Sequence, residues 1–234
     1  MTNHEDFIIQ EPYQPTEKEE QAIRELMNKK EGLIADDWNS QNRYIKSFKN
    51  NMRDDMYNKQ NKLCAYCRIH LPSGCVHFHR EHIVYKKDHP QWIFLPENLC
   101  VVCPCCNEYK GATEVLVNPK THRYPKSSRG FKIIHPLYDR YSDHIELIKG
   151  ILYRGKTEKG KFTIKTCHLS RVELAKERVD QKMYIDNNGN NTIAELIKLT
   201  ILPNQYVDDN EEFVSYVKGI VKRYALENNG VMRD

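Results

Sequence analysis

Two C-x-x-C pairs, Cys64-Ala-Tyr-Cys67 and Cys103-Pro-Cys-Cys106, are the residues whose types and spacing point most directly to chemistry. Four thiolates presented on two tight turns meet the needs of a tetrahedral structural zinc. Buried apolar thiols and a pair of redox dithiols are the competing readings. Neither accounts for two knuckles that bracket a run of histidines. The chain has eight cysteines, and seven of them fall between Cys64 and Cys106. A disulfide framework would spread over the fold it staples, so metal is favoured over disulfides in a chain without secretory features. Cys105 could exchange with a neighbour as ligand, whereas Cys75, Cys100 and Cys167 read as packing residues.

The 35 residues between Cys67 and Cys103 exceed a minimal zinc ribbon, and the insert holds the second constellation. It contains His77-Phe-His79-Arg80-Glu81-His82 and then Asn98. Asn107-Glu-Tyr-Lys110-Gly111 follows the second knuckle. One carboxylate beside a histidine, with a distant amide oxygen, suits a hard cation with open water positions better than a second zinc cage. A neutral imidazole with an ordinary pKa near 6.5 can take a proton from water. His77 and His79 share one face of an extended segment, and phosphate contact, metal binding and plain packing all stay open for them. Arg80 and Lys110 are candidate phosphate contacts, against ordinary surface charge. His135, Asp139 and His144 are ligand types too, but they lie outside the constellation and read as a structural hydrogen-bonded group.

The order C-x-x-C, Glu81-His82-Ile83, Asn98-Leu99, C-x-x-C-Asn107-x-x-Lys110-Gly111 resembles the HNH family of ββα-metal nucleases over residues 63 to 113. The combination is far more specific than any single piece. The resemblance implies that His82 is the general base activating water and that Glu81 is a ligand to a catalytic Mg²⁺ or Mn²⁺. It implies that Asn98 holds the histidine loop against the helix and that Asn107 is the second metal ligand. This sequence has Asn where the family name has its final His, and Glu where Asp is more usual. The flanks resemble the HNH proteins of bacterial anti-phage systems of the retron and Septu type. They do so through Trp38 before a basic helix, a K-x-x-H-P run ending at His89-Pro90, and Thr163-Ile164 with Cys167, Leu169, Ser170 and Arg171. That implies an ATPase partner protein.

These residues need elements to position them. Thr16 and Glu19 form a capping box ahead of an apolar stripe of Ala22, Ile23, Leu26 and Met27, a helix that Gly32 would end. A second helix is expected from about Ser40 to Gln60, with Tyr44, Ile45, Phe48, Met52 and Met56 on one face. Prolines and glycines then break the chain into short segments up to about Thr113, with a helix starting near Cys105. Beyond it, Gly130–His135, Ile151–Arg154 and Lys161–Lys165 read as strands, the last two joined through Gly155–Gly160 as a hairpin. Capping boxes at Ser170/Glu173 and Thr192/Glu195 open two helices. Phe213, Tyr216, Val217, Ile220, Val221 and Tyr224 mark a closing helix, stopped by Asn229-Gly230.

The expected fold is α+β: a ββα-metal core stapled by a four-cysteine zinc site, with flanking helices and a small hairpin. The expected divisions are residues 1–62 (helical), 63–113 (nuclease core) and 114–234 (an α/β extension and possible partner-docking region). At 234 residues the chain can bury a sizeable core. Charge is uneven: residues 1–40 carry net −6, 41–134 net +9 and 135–234 net +1, so the basic excess coincides with the cysteines. A positive segment of this kind suits nucleic acid, DNA first among its forms. No apolar run approaches the roughly 18 residues of a membrane span, and the N-terminal stretch lacks the pattern of a secretory leader, so a cytoplasmic location is expected. The rival from another class is a catalytically inactive zinc-knuckle module that only binds nucleic acid.

Overall fold

The computed structural model describes residues 8–29, 32–72, 78–185, 190–201 and 206–229. The elements are α1 (Glu17–Met27), α2 (Arg43–Lys59), β1 (His79–His82), β2 (Leu99–Val102) and α3 (Pro104–Lys110). After these come α4 (Tyr141–His144), β3 (Ile145–Ile148), β4 (Leu152–Gly155), α5 (Glu158–Thr166), α6 (Val172–Ile185), α7 (Asn190–Leu199) and α8 (Asn210–Asn229). Mixed helices with two small antiparallel sheets, β1-β2 and β3-β4, make the chain α+β.

The capping box at Thr16 and Glu19 is present, and it does more than start α1. Glu19 is fully buried. Its carboxylate accepts from Tyr13 Oη (2.6 Å), Ser47 Oγ (2.6 Å) and Asn51 Nδ2 (2.8 Å), which ties α1 to α2. Burial raises its pKa, but these donors outweigh burial and hold it below the usual value. α2 buries Ile45, Phe48, Met52 and Met56, the expected stripe.

At the end of α2, Gln60 is buried and replaces a neighbouring strand for β2. Its Nε2 donates to Leu63 O (2.9 Å) and Val101 O (2.8 Å), and its Oε1 accepts from Val101 N–H (2.9 Å). One apolar cluster runs from Ile9 to Leu174 and takes in residues on both sides of positions 62 and 113. A second is built by α6, α7 and α8 over Ile151 and Leu152, with Val179, Leu196, Phe213 and Val217 at its centre.

Two expectations fail in the segment after α3. Gly130–His135 is not a strand; it makes one isolated bridge, Leu116 to Phe131. Lys132 N–H still donates to Val115 O (2.7 Å), but the next donors go to side chains, Ile134 N–H to Thr163 Oγ1 (3.0 Å) and His135 N–H to Asp139 Oδ2 (2.8 Å). Lys161–Lys165 is helical. Thr157 caps the helix by accepting from Gly160 N–H (3.1 Å), which outweighs the alternation of Phe162 and Ile164. Gly160 is required there, since an added Cβ would stand 2.0 Å from His144 O. The hairpin therefore pairs Ile145–Ile148 with Leu152–Gly155, turning through Lys149 (φ 54°) and Gly150 (φ 73°). Gly32 (φ 71°) lies past the end of α1, whose C-cap is Asn28, and Gly230 lies outside the described residues.

Candidate metal centre and the strand face beside it

Cys64, Cys67, Cys103 and Cys106 bring their sulfurs within 4.8 Å of one another, so they could hold a zinc ion. Zn–S bonds of about 2.3 Å put the sulfurs of a tetrahedron roughly 3.8 Å apart. The Cys67–Cys103 separation is 3.7 Å. Burial opposes ionisation, yet contacts from Cys103, Cys106 and Cys67 bring the Cys64 thiol well below its ordinary range. The Cys67 thiol is pushed up, by burial first. A divalent cation binding there would displace the remaining thiol protons. Cys105 is exposed and outside the set, while Cys100 and Cys167 are buried. Cys75 and His77 lie outside the described residues.

The knuckles are held from far away in the chain. Cys67 O accepts from Tyr153 Oη on β4 (2.5 Å) and Arg178 Nη2 on α6 (2.6 Å), and Tyr66 O accepts from Tyr141 Oη (2.8 Å). Arg171 makes its hydrogen bonds to Cys167 O and His168 O. Burial lowers its pKa, but the nearby thiols raise it further, so it is a permanent positive charge beside the sulfur cluster. Tyr141, Tyr153 and Arg178 were not singled out from the sequence, and at separations of up to 111 residues no local signal marks them, whereas Arg171 belongs to the segment that carries the flank resemblance.

β1 pairs with β2 in the register His79↔Val102 to His82↔Leu99, and α3 packs on β1. Because strand side chains alternate, the constellation is split between two faces. On the α3 face, exposed His79 Nδ1 lies 2.9 Å from Asn107 Nδ2. Two residues on, buried Glu81 lies 2.5 Å from the ammonium of Lys110. Burial raises the Glu81 pKa against the pull of Lys110. Lys110, expected as a phosphate contact, is only 1% exposed and also donates to His82 O (3.1 Å). Its charge is directed inward, at Glu81.

On the other face, Arg80 donates to Lys49 O (2.7 Å) and Asn50 Oδ1 (2.6 Å), so it fastens β1 to α2. His82 packs edge-on to Trp38, ring centroids 4.5 Å apart, and Trp38 stacks on Phe94. His82 Nε2 lies 3.1 Å from Ile93 O, and a carbonyl only accepts, so Nε2 carries the proton and Nδ1 the lone pair. Burial, reinforced by the charges of Lys86 and Lys110, outweighs the Ile93 contact and pushes the His82 pKa down to about 3. The ring is therefore neutral near pH 7.

Asn98 is fully buried behind the loop that follows His82. Its Oδ1 accepts from Val84 N–H (2.7 Å), and its Nδ2 donates to Val84 O (3.2 Å) and Trp92 O (3.3 Å), so one amide closes the loop from 84 to 92.

His135, Asp139 and His144 form a separate group in which His135 and Asp139 are buried and His144 is half-buried. Asp139 accepts from Lys159 (2.9 Å) and contacts His144 Nε2 (3.3 Å), and His135 Nε2 meets Tyr124 Oη (3.0 Å). Each polar atom quoted has a protein partner, as a structural group requires.

No protein-family model matches the chain. A curated protein described as Septu protein PtuB, from Bacillus thuringiensis, is 29% identical to it over 139 residues, which are 59% of this chain and 48% of that protein. The chain thus spans about half the length of the curated relative it matches. Among the described residues no helix is long and apolar enough to cross a membrane.

Proposed function

We propose that this protein is a metal-dependent HNH endonuclease that hydrolyses phosphodiester bonds of nucleic acid, DNA first, as the effector of a bacterial anti-phage system. The observation that carries this is the setting of His82. It is a neutral imidazole at the end of β1, with Nε2 committed to Ile93 O, Nδ1 left as the basic atom, and its loop closed by Asn98. The four-cysteine cluster packed against this unit and the similarity to Septu protein PtuB add support.

His82 Nδ1 takes the proton of the attacking water. A phosphodiester brought alongside adds negative charge near the ring and raises its pKa from the resting value toward the working range. Trp38 and Ile93 fix the plane of the imidazole, and displacement by ~1 Å would cost on the order of 100-fold in rate. A divalent Mg²⁺ or Mn²⁺, when bound, supplies charge stabilisation at the scissile phosphate and its leaving oxygen. Asn107 and Glu81, on the α3 face, would hold it. Because that face is opposite the one His82 occupies, the substrate lies across the edge of β1 that β2 does not cover. Structural zinc on Cys64, Cys67, Cys103 and Cys106 would tie the turn at 64–67 to the start of α3. An ATPase of the same defence system is the proposed partner, with residues 114–234 as its docking region.

One observation favours the inactive-module reading, the 7% exposure of His82, which restricts water at the ring. The test is cleavage of plasmid DNA, single-stranded DNA and RNA by zinc-loaded protein, with Mg²⁺ or Mn²⁺ supplied or withheld. Cutting that needs the ion and falls about 10²–10⁴-fold in His82→Ala is expected for a general base. Salt-dependent binding that survives His82→Ala, with no cutting of any substrate, would instead establish the binding module.

A further inference from the structure

The motif comparison leaves His79 unused, yet it is the β1 residue that Asn107 touches. His79 and Glu81 are two apart on a strand, so they share the face that α3 covers. Of the two, Glu81 is buried and engaged by Lys110, whereas His79 is exposed and 2.9 Å from the Asn107 amide. Turning that amide by half a turn exchanges Nδ2 for Oδ1 at almost the same point. The two side chains then present one nitrogen and one oxygen about 3 Å apart. Adjacent donors around an octahedral ion with bonds of about 2.1 Å are separated by about 3.0 Å. The spacing is that of two ligands to one ion.

We propose that His79 is a direct nitrogen ligand of the divalent ion held by Asn107 and Glu81, giving a site of one imidazole, one amide oxygen and one carboxylate. This rests on the nuclease reading above and deepens it. Its chemical consequence is selectivity. Oxygen-only sites suit Mg²⁺, whereas an imidazole shifts preference toward first-row transition ions, so this site takes Mn²⁺ and Co²⁺ in preference to Mg²⁺. Glu81 remains on its Lys110 counter-charge until the ion arrives. Lys110 stands in for part of the ion's positive charge in its absence.

The test is Mn²⁺ binding to the zinc-loaded full chain, read by titration of the free-ion EPR signal and by the nitrogen coupling in the pulsed EPR of the bound ion. Wild type, His79→Ala, His79→Asp and Asn107→Ala are compared, each first checked for zinc content and helical circular dichroism. The expected result has four parts. Wild type shows an imidazole nitrogen coupling. His79→Ala loses it and weakens Mn²⁺ by about 10-fold or more. Asn107→Ala weakens Mn²⁺ but keeps the coupling. His79→Asp binds Mg²⁺ better relative to Mn²⁺ than wild type does. If Asn107→Ala weakens Mn²⁺ while His79→Ala changes neither affinity nor coupling, the assignment of His79 is overturned and the nuclease reading stands. If neither substitution affects Mn²⁺, both are overturned.

Discussion

The region around β1, β2 and α3 and the bundle of α6, α7 and α8 solve the same problem with different materials. The bundle closes over aliphatic residues and one phenylalanine, with Val179, Leu196 and Phe213 fully or almost fully buried. The β1–α3 region buries Gln60, Glu81, Asn98 and Lys110, each 6% exposed or less, along with Cys64, Cys67, Cys100 and Cys106. Four-residue strands and a seven-residue helix offer little apolar area, so directional polar links and sulfur take over the positioning. Ordinary packing tolerates small shifts, whereas a buried amide with three partners does not.

The largest expected contrast comes from removing metal. Structural zinc contributes on the order of 10 kcal/mol in small domains. Cys64→Ser, or chelation, should therefore unfold the β1–α3 region while the α6–α8 bundle keeps helical signal, as followed by circular dichroism and limited proteolysis. A single cooperative loss of all helix would show that the two regions are one unit. The bundle is tested from the other side by Phe213→Ala. Emptying that fully buried site should cost about 3–5 kcal/mol in denaturant unfolding, without releasing metal from the cysteines.

Asn98→Ala is expected to cost on the order of 2–4 kcal/mol, because it strands Val84 N–H and its carbonyl neighbours in the interior. Faster proteolytic cutting between residues 84 and 92 is the specific sign of that loss. A leucine in its place, filling the volume but not restoring stability, would confirm that the hydrogen bonds matter rather than the packing.

The effect that shows only on acidification concerns His135, away from the metal centre. Burial holds its pKa down at about 3 against the pull of Asp139, below the unfolded value near 6.5. The unfolded chain thus binds the extra proton as pH falls below about 6.5. Stability from this group is intact above that pH and declines toward pH 3, at up to ~1.4 kcal/mol per unit. A His135→Gln variant should show a shallower decline between pH 6 and 4 than wild type in thermal melts.

What the sequence disclosed, and what it hid, follows the same division. The knuckles and the amphipathic stripes of α1, α2 and α8 are local patterns, and they were legible. The hairpin was displaced because Lys161–Lys165 alternates like a strand. The Thr157 cap and the close approach of Gly160 to His144, neither of which has a period, decide it as helix. At the site, Lys110 looked like a surface cation because charge in a sequence carries no depth. Only the packing of α3 on β1 shows it buried against Glu81. Trp38 at His82, and Arg178 and Tyr153 at Cys67, are long-range contacts of side chains that no motif connects.

Gln60 has a further consequence. A two-stranded sheet normally leaves a row of unpaired backbone groups along each side, open to an added strand from another molecule. Here the side-chain amide at the end of α2 occupies both the N–H and the carbonyl of Val101, and Ala65 N–H shares that carbonyl at 3.1 Å. The outer border of β2 is thereby sealed by its own chain. A strand from another molecule therefore finds the Val101 backbone groups already taken, and the sheet cannot serve as a template for filament growth from that border.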